Sequence, residues 1–505
     1  MSKKKATLFT MLFGVLNSIV FVVLNMIYTN LVILKMGSDV NGLISTVTQF
    51  VTLFSIAEGG VTTAAVVACY IPIHTRDYDR LNNILSTVKV IFRRIAILVF
   101  LLALTIGWFY ANQLKSPFNV HKTYLLIVIS ALTISITIGE LSRMLILIQG
   151  DNKEYIVQLS ASISKIVSWL LSIHFIIMNY DVIWIYLCNL INVGVNIICI
   201  WIFERKNYTY IKYNDKIDYS LIRGTKDVYI QKIANTVFNS TDLIIISCFV
   251  NLSAVSVYNL YIMIYRAVAS LVNAIAQAPY NSFGQLYAES RKEDFIYFYN
   301  MYWSFIILVV TIVFTTSGIA ILPFVSIYTQ GVTDYIYLMP SLNICMFIFF
   351  TLQTFNAPFG VLLNSTGNFK RQNAQCIVAA ITNIISSVIL VNIIGTYGVI
   401  CGSVLSIVIV VTSNVIKIKK VIPEIDTNKI FFIMGINLGF GVLLVLLSYR
   451  IHYTCSNYFY WIVISVLILV VCTVILTIIN IVCNGKNLFS IIIKDLKNDR
   501  NKYFK

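Results

Sequence analysis

The chain has 505 residues, of which 58% are hydrophobic and only 11% carry a charge. Soluble globular proteins average roughly 25% charged residues, so a soluble fold would leave much of this apolar surface in water, whereas a bilayer would solvate it. The net charge of +16 does not indicate a nucleic-acid binder, because the basic residues lie in short segments between apolar blocks and form no continuous stripe.

Fourteen apolar stretches are long enough to cross a bilayer, for which a helix needs roughly 20 residues. In chain order they lie near residues 8–34, 42–71, 90–111, 124–148, 157–178, 182–203, 228–250, 256–284, 302–325, 336–363, 374–394, 398–418, 430–449 and 459–482. The first stretch is longer than the apolar core of a cleaved signal peptide, so we expect it to be retained as a span. The cysteines and histidines lack the spacing of metal ligands, so no metal site is predicted.

The distribution of basic residues predicts the orientation of these spans. An even number of spans places both termini on one side of the membrane. Of the 37 lysines and arginines, 29 lie in segments on the side of the termini, 4 lie in segments on the opposite side, and 4 lie within spans. Because basic segments favour the cytoplasmic side, both termini are predicted to be cytoplasmic.

Two turn segments indicate an internal repeat. Residues 147–153 (LIQGDNK) and 364–370 (NSTGNFK) each end one span and begin the next, and they are 217 residues apart. With six spans in each copy, both copies would cross the membrane in the same direction, as in a parallel repeat. The predicted division is a six-helix lobe over 1–220, a second over 221–425, and an additional helix hairpin with a basic cytoplasmic tail over 426–505.

Four segments resemble the polysaccharide flippases of the MOP superfamily, the Wzx-like proteins that carry O-antigen, capsule or teichoic-type precursors. These segments are residues 34–43 (LKMGSDVNGL), 242–246 (DLIII) with 255–258 (VSVY), 327–335 (IYTQGVTDY), and 367–370 (GNFK) with Asn383 and 395–399 (GTYGV). The resemblance covers roughly residues 1–420. It departs from the family at 37–42, where an aromatic residue before the second glycine is usual.

The resemblance implies an all-α polytopic membrane protein of about fourteen helices, with two MOP/MATE-like six-helix lobes and a C-terminal helix pair. It also implies a function: flipping an undecaprenyl-pyrophosphate-linked oligosaccharide to the outer leaflet of the bacterial cytoplasmic membrane by alternating access. Such a protein would need no cofactor beyond H⁺ or Na⁺ for coupling. Its partners would be the lipid-linked glycan, membrane lipid, and the polymerase and glycosyltransferases of the same pathway, with no nucleic acid.

Charged residues inside the predicted spans are the candidate functional residues, because a charge in hydrocarbon needs a partner or a wet cavity. The basic candidates can neutralise a pyrophosphate headgroup, and arginine can bind phosphate oxygens through two hydrogen bonds. They are Arg143, Lys165 and Arg266. The acidic candidates for coupling or for the cavity are Glu58, Glu140 and Asp242. No catalytic residue is assigned.

Structural explanations for these residues stay open. Glu140 and Arg143 are three residues apart and could simply form a local ion pair. Arg266 has a tyrosine on each side at helical spacing and could stack on it. The serines at 160, 164 and 168 would form a polar helix face beside Lys165, which favours a wet cavity there. Lys232 is expected to extend towards the cytoplasmic surface.

Three other functions remain as alternatives. A MATE-type cation-coupled exporter of small molecules and a lipid II-type flippase would share the predicted fold. A membrane-embedded polymerase or glycosyltransferase would need a sizeable outer loop with catalytic acids. The outer segments here are no longer than about 12 residues, with Asp39, Asp181 and Asp334 as their acids, so the sequence favours a transporter over an enzyme.

Overall fold

The structure is a computed structural model that describes residues 3–213, 226–289, 292–367, 372–451 and 455–484. Within these ranges the regular structure is helical, with no strand. The α-helices are α1 (Lys3–Met36), α2 (Ser38–Phe54), α3 (Gly59–Thr75), α4 (Tyr78–Gln113), α5 (Val120–Ile136), α6 (Ser142–Gly150), α7 (Glu154–Ile177), α8 (Ile183–Asn207), α9 (Lys226–Phe249), α10 (Leu252–Gln277), α11 (Tyr280–Ala288), α12 (Lys292–Tyr328), α13 (Pro340–Phe355), α14 (Ala357–Ser365), α15 (Asn373–Ile394), α16 (Thr396–Val421), α17 (Thr427–Ser448) and α18 (Tyr458–Asn484).

Four pairs of helices continue one another as a single rod with a local break. A 3₁₀ turn at Ser55–Glu58 joins α2 to α3, and a π turn at Thr137–Leu141 joins α5 to α6. The α13–α14 rod breaks at Asn356, two residues before Pro358, whose ring nitrogen has no N–H to donate to the preceding turn. The fourth pair, α10–α11, breaks just before Tyr280.

Counted as rods, the described residues contain fourteen helices, the predicted number. Twelve of them are long and apolar enough to cross a membrane. The other two, α1 and α9, occupy the predicted spans 8–34 and 228–250, and Val20–Met36 of α1 is a shorter apolar helix. The protein is therefore a multi-pass, all-α membrane protein, as predicted.

Capping side chains fix where several helices begin. Asp77 accepts a hydrogen bond from the Arg80 amide at 3.0 Å, and Asn119 accepts one from the Lys122 amide at 2.8 Å. These bonds satisfy amides that have no partner in the first turns of α4 and α5. At the opposite end of α15, Gly395 adopts a left-handed backbone conformation with φ of 62°, which lets the chain turn directly into α16.

The order of rods and breaks recurs at the predicted offset of 217 residues. At this offset the π turn at Thr137–Leu141 falls on 354–358, which contains the break at Asn356. Helix α7 falls on 371–394, and α15 covers Asn373–Ile394. Helices α17 and α18 follow the repeat, and buried Asn437 and Asn480 join them through reciprocal amide hydrogen bonds of 3.1 and 2.9 Å.

Internal contacts divide the chain into two units. Unit 1 comprises Met1–Asn259 and Gly331–Tyr335, and unit 2 comprises Leu260–Gln330 and Ile336–Lys505. The predicted lobe boundaries after residues 220 and 425 stay a prediction. Outside the described residues lie most of the predicted basic tail (485–505) and residues 368–370 of the fourth resemblance segment.

Candidate substrate site in unit 1

A polar cavity of about 340 Å³ lies within unit 1. Its walls come from α1, α2, the α5 rod, α7, α8 and the first turns of α10. Amide side chains line much of it: Asn25, Asn41, Gln49, Asn189 and Asn259. Hydroxyl groups add further donors and acceptors: Tyr28, Thr29, Ser45, Thr48, Thr52, Ser130, Thr133, Thr137 and Ser172. Such a lining matches a neutral ligand rich in hydroxyl groups.

Lys165 is the charged residue in this lining, within the part of the chain that the structure describes. Its ammonium lies 4.9 Å from the centroid of the Trp169 ring, one helical turn further along α7. No carboxylate oxygen of a described residue lies within 4 Å of it. A half-buried ammonium without a counterion attracts an anion, because burial weakens the screening that water provides.

The serine face predicted beside Lys165 does not form the cavity wall. Ser160, Ser164 and Ser168 are buried in helix packing, and the Ser168 hydroxyl donates to the Cys188 carbonyl of α8 at 2.8 Å. Small hydroxyl side chains of this kind allow close approach of membrane helices. The face that lines the cavity instead presents Lys165, Trp169 and Ser172.

Arg143 is the centre of a second polar cluster. It is buried in α6, and its Nη2 lies 2.9 Å from Oε2 of Glu140 in the π turn. Its Nη1 donates to the hydroxyl of Tyr213, and that hydroxyl donates to Glu204 Oε1 at 3.1 Å. Burial raises the pKa of Tyr213, and the nearby Arg143 only partly opposes this. The phenol is therefore neutral and fills both roles, acceptor and donor.

Glu58 lies where the two breaks of unit 1 meet. It ends the 3₁₀ turn between α2 and α3, and its Oε2 accepts a hydrogen bond of 3.0 Å from Ser142, which follows the π turn. The side chain of Lys232 passes against Gly59, where an added Cβ would lie 2.4 Å from its Cδ. Lys232 also acts electrostatically on Glu58.

The two remaining candidates lie elsewhere. Asp242 is buried in α9 and accepts a hydrogen bond from the Tyr258 hydroxyl at 2.7 Å, and it does not line the cavity. Arg266 is exposed on the part of α10 that belongs to unit 2. The structure therefore brings Arg143, Glu140 and Glu58 into one region of unit 1 and places Lys165 in the cavity.

The repeat separates the charges from the fold. At the offset of 217, the unit 1 residues Glu58, Glu140, Arg143 and Lys165 fall on Ile275, Ala357, Gly360 and Thr382 of unit 2. The same rods form in both copies, so the fold does not require these charges. Conversely, Asp242 and Arg266 fall on Asn25 and Gln49, which both line the cavity.

No protein-family model and no curated protein matches the chain. Solved structures do match it. The lipid II flippase MurJ in an inward closed conformation aligns with a TM-score of 0.71 at 14% identity, covering 93% of this chain and 99% of that one. An inward-facing multidrug resistance transporter of the MATE family, from the MOP superfamily, aligns at 0.66 and 12% identity, covering 80% and 96%. A MOP superfamily transporter from Pyrococcus furiosus aligns at 0.55 and 13%, covering 82% and 96%.

The fold is therefore the fold of MOP superfamily transporters, and this part of the sequence prediction is confirmed. At these identities the likeness concerns the fold alone. The closer resemblance to Wzx-like polysaccharide flippases stays a prediction.

Proposed function

We propose that the protein moves an undecaprenyl-pyrophosphate-linked oligosaccharide from the inner to the outer leaflet of the bacterial cytoplasmic membrane, with both termini in the cytoplasm. The observation that supports this is the composition of the unit 1 cavity. Neutral amides and hydroxyls suit a glycan, Trp169 offers an apolar ring face to a sugar, and Lys165 offers a positive charge to the phosphate. The cavity volume falls within the usual range for ligand sites.

A cation-coupled exporter of cationic drugs is supported less well. A cationic ligand needs a carboxylate or several aromatic faces. Among the described residues that line the cavity there is no carboxylate, and the charge present is positive.

Lipid II flipping is the second candidate, because lipid II is also a glycan on an undecaprenyl diphosphate. The observation that favours it is the extent of the structural match: MurJ covers 93% of this chain, whereas the MATE transporter covers 80%.

In this proposal the polar residues at the two helix breaks have separate roles. Arg143 contacts the diphosphate, and Glu58 and Glu140 take up and release H⁺ or Na⁺ to drive transport. Glycosyltransferases supply the lipid-linked glycan and a polymerase consumes it.

The test is a flipping assay in proteoliposomes with a fluorescent undecaprenyl-pyrophosphate-linked oligosaccharide, in which a membrane-impermeant reductant quenches the outer leaflet. Lys165→Ala should slow flipping by about tenfold or more, since a hydrogen bond to a charged group contributes roughly 1.5–3 kcal/mol. Lys165→Arg should keep most of the rate. Lys122→Ala, which removes an exposed lysine paired with Asp181, is the matched control. A wild-type protein that does not flip the glycan, or a Lys165→Ala variant as fast as wild type, contradicts the proposal.

A further inference from the structure

The segment that follows α8 packs back onto unit 1 through its tyrosines. We call residues Tyr208–Tyr213 the strap. The Tyr208 hydroxyl donates to Asp151 at 2.8 Å, and the Tyr210 ring lies 4.2 Å from the ring of Tyr78. The Lys212 amide donates to Asn82 Oδ1 at 3.0 Å. These contacts hold the strap against several parts of unit 1, so the position of Tyr213 is well defined.

Tyr213 at the end of the strap lies between two cations. The Lys89 ammonium is 4.7 Å from the centroid of its ring, and the Arg143 guanidinium carbon is 5.0 Å from it. The two positive groups are therefore less than about 10 Å apart, on either side of one aromatic ring. Two cations at this separation can bind one diphosphate.

Tyr213 is the outer layer of this cluster. Arg143 is 7% exposed, whereas Tyr213 is 38% exposed. The Tyr213 hydroxyl gives Arg143 an oxygen acceptor, and among the described residues Arg143 Nε has no hydrogen-bond partner. A buried guanidinium normally has its donors satisfied, so this arginine has capacity for a further acceptor.

We propose that Tyr213 holds the place of a phosphate group on Arg143, and that the diphosphate of the transported lipid displaces it and binds to Arg143 and Lys89. This inference rests on the proposed function for the identity of the ligand. The phenol is neutral and makes one hydrogen bond to Arg143, whereas a phosphate oxygen is charged and can bond two guanidinium nitrogens at once. Substrate therefore replaces a weaker contact with a stronger one, and the strap detaches from unit 1 when substrate is bound.

The test follows the chemical reactivity of Arg143 in the full-length protein in nanodiscs. Phenylglyoxal modifies accessible arginines, and mass spectrometry quantifies the modified peptide. In wild type, Arg143 should react slowly. In Tyr213→Ala it should react about tenfold faster, which corresponds to ~1.4 kcal/mol. Tyr210→Ala is the matched control, because it removes an aromatic anchor of the same strap without removing a contact to Arg143.

Protection experiments identify the ligand class. Inorganic pyrophosphate should slow the modification of Arg143 in Tyr213→Ala, and Lys89→Ala in the same background should weaken this protection. In wild type, undecaprenyl diphosphate in the nanodisc should expose Tyr213, which iodination reports, at concentrations where free pyrophosphate does not. Equal effects of both ligands would contradict a lipid-borne source.

The inference fails if Arg143 reacts at the same rate in wild type and Tyr213→Ala, if Tyr210→Ala has the same effect as Tyr213→Ala, or if pyrophosphate gives no protection. None of these readouts requires transport. A protein that shows the expected reactivity but does not flip the glycan would contradict the proposed function and leave the anion site at Arg143 intact.

Discussion

Replacing Gly42 by alanine tests how closely α2 packs on the start of α10 within unit 1. A Cβ at position 42 would lie 1.8 Å from the Leu252 carbonyl oxygen and 2.5 Å from its carbon. Both atoms belong to the backbone, so no side-chain rotation relieves the contact. Since Cβ atoms essentially never approach other atoms within 3.0 Å, the two helices must separate by more than 1 Å.

This separation would strain the polar contacts on either side of Gly42. Asp39 Oδ1 accepts from the Ser253 hydroxyl at 2.5 Å, and the Asn41 amide donates to Ser256 at 2.6 Å. Overpacking of a helix interface typically costs about 1–3 kcal/mol. Hydrogen bonds between membrane helices contribute about 0.6 kcal/mol each on average. We therefore expect Gly42→Ala to destabilise the protein by about 1–4 kcal/mol.

The assay is equilibrium unfolding by sodium dodecyl sulfate in mixed micelles, followed by tryptophan fluorescence. Gly360→Ala is the matched control, because Gly360 is also helical but has no atom within 4 Å of its added Cβ. There the substitution should stabilise the helix by up to about 1 kcal/mol, since alanine favours the helix more than glycine does. Equal unfolding midpoints for Gly42→Ala and wild type would show that α2 and α10 do not pack this closely.

Three further predictions follow from single contacts. Asn437→Leu and Asn480→Leu should each destabilise by about 1–2 kcal/mol, and a double-mutant cycle should show that the effects are not additive, because either change breaks the same amide pair. Glu58→Gln keeps an acceptor for the neighbouring serine but cannot ionise, so flipping should lose its dependence on a proton or sodium gradient, and an unchanged dependence would exclude Glu58 from coupling. Burial raises the pKa of Asp181, but hydrogen bonds from Lys122 and the Ile183 amide outweigh it and hold that pKa below its usual value. The ion pair therefore stabilises the protein above pH ~4, the usual range for an unfolded aspartate, and this contribution disappears as the pH falls through the lower folded-state pKa; Asp181→Asn should remove it, by less than about 1 kcal/mol for so exposed a pair, and an unchanged unfolding midpoint at pH 7 would contradict this.

The spans and the repeat could be predicted from the sequence because both depend on local composition. Apolar length determines which segments can cross a bilayer, and a fixed offset between turn segments revealed the two copies. Lys165 could be found for the same reason, since a charge within an apolar run is visible in the sequence.

The partners of these charges could not be predicted. Tyr213 reaches Arg143 from 70 residues further along the chain, and nothing in the sequence around either residue indicates the contact. The serine face of α7 was wrongly expected to line the cavity, because helical periodicity shows which residues share a face but not what that face contacts. The meeting of Glu58 with Ser142 depends on two helix breaks at once. The sequence signal for one of them was Gly59-Gly60, which follows Glu58 directly.

The two copies of the repeat use buried polar groups in opposite ways. In unit 2, Gln375 donates to Asn414 and accepts from Lys417, and the Asn414 amide donates to Asn356 at the helix break. At the offset of 217 Gln375 corresponds to Gln158, whose Oε1 is buried with no hydrogen-bond partner among the described residues. A satisfied polar network stabilises one arrangement of helices, whereas unsatisfied polar groups gain most from a ligand or from water. The charges without full partners, Lys165 and Arg143, also lie in unit 1. The asymmetry therefore assigns ligand binding to unit 1 on grounds that are independent of any resemblance to known transporters.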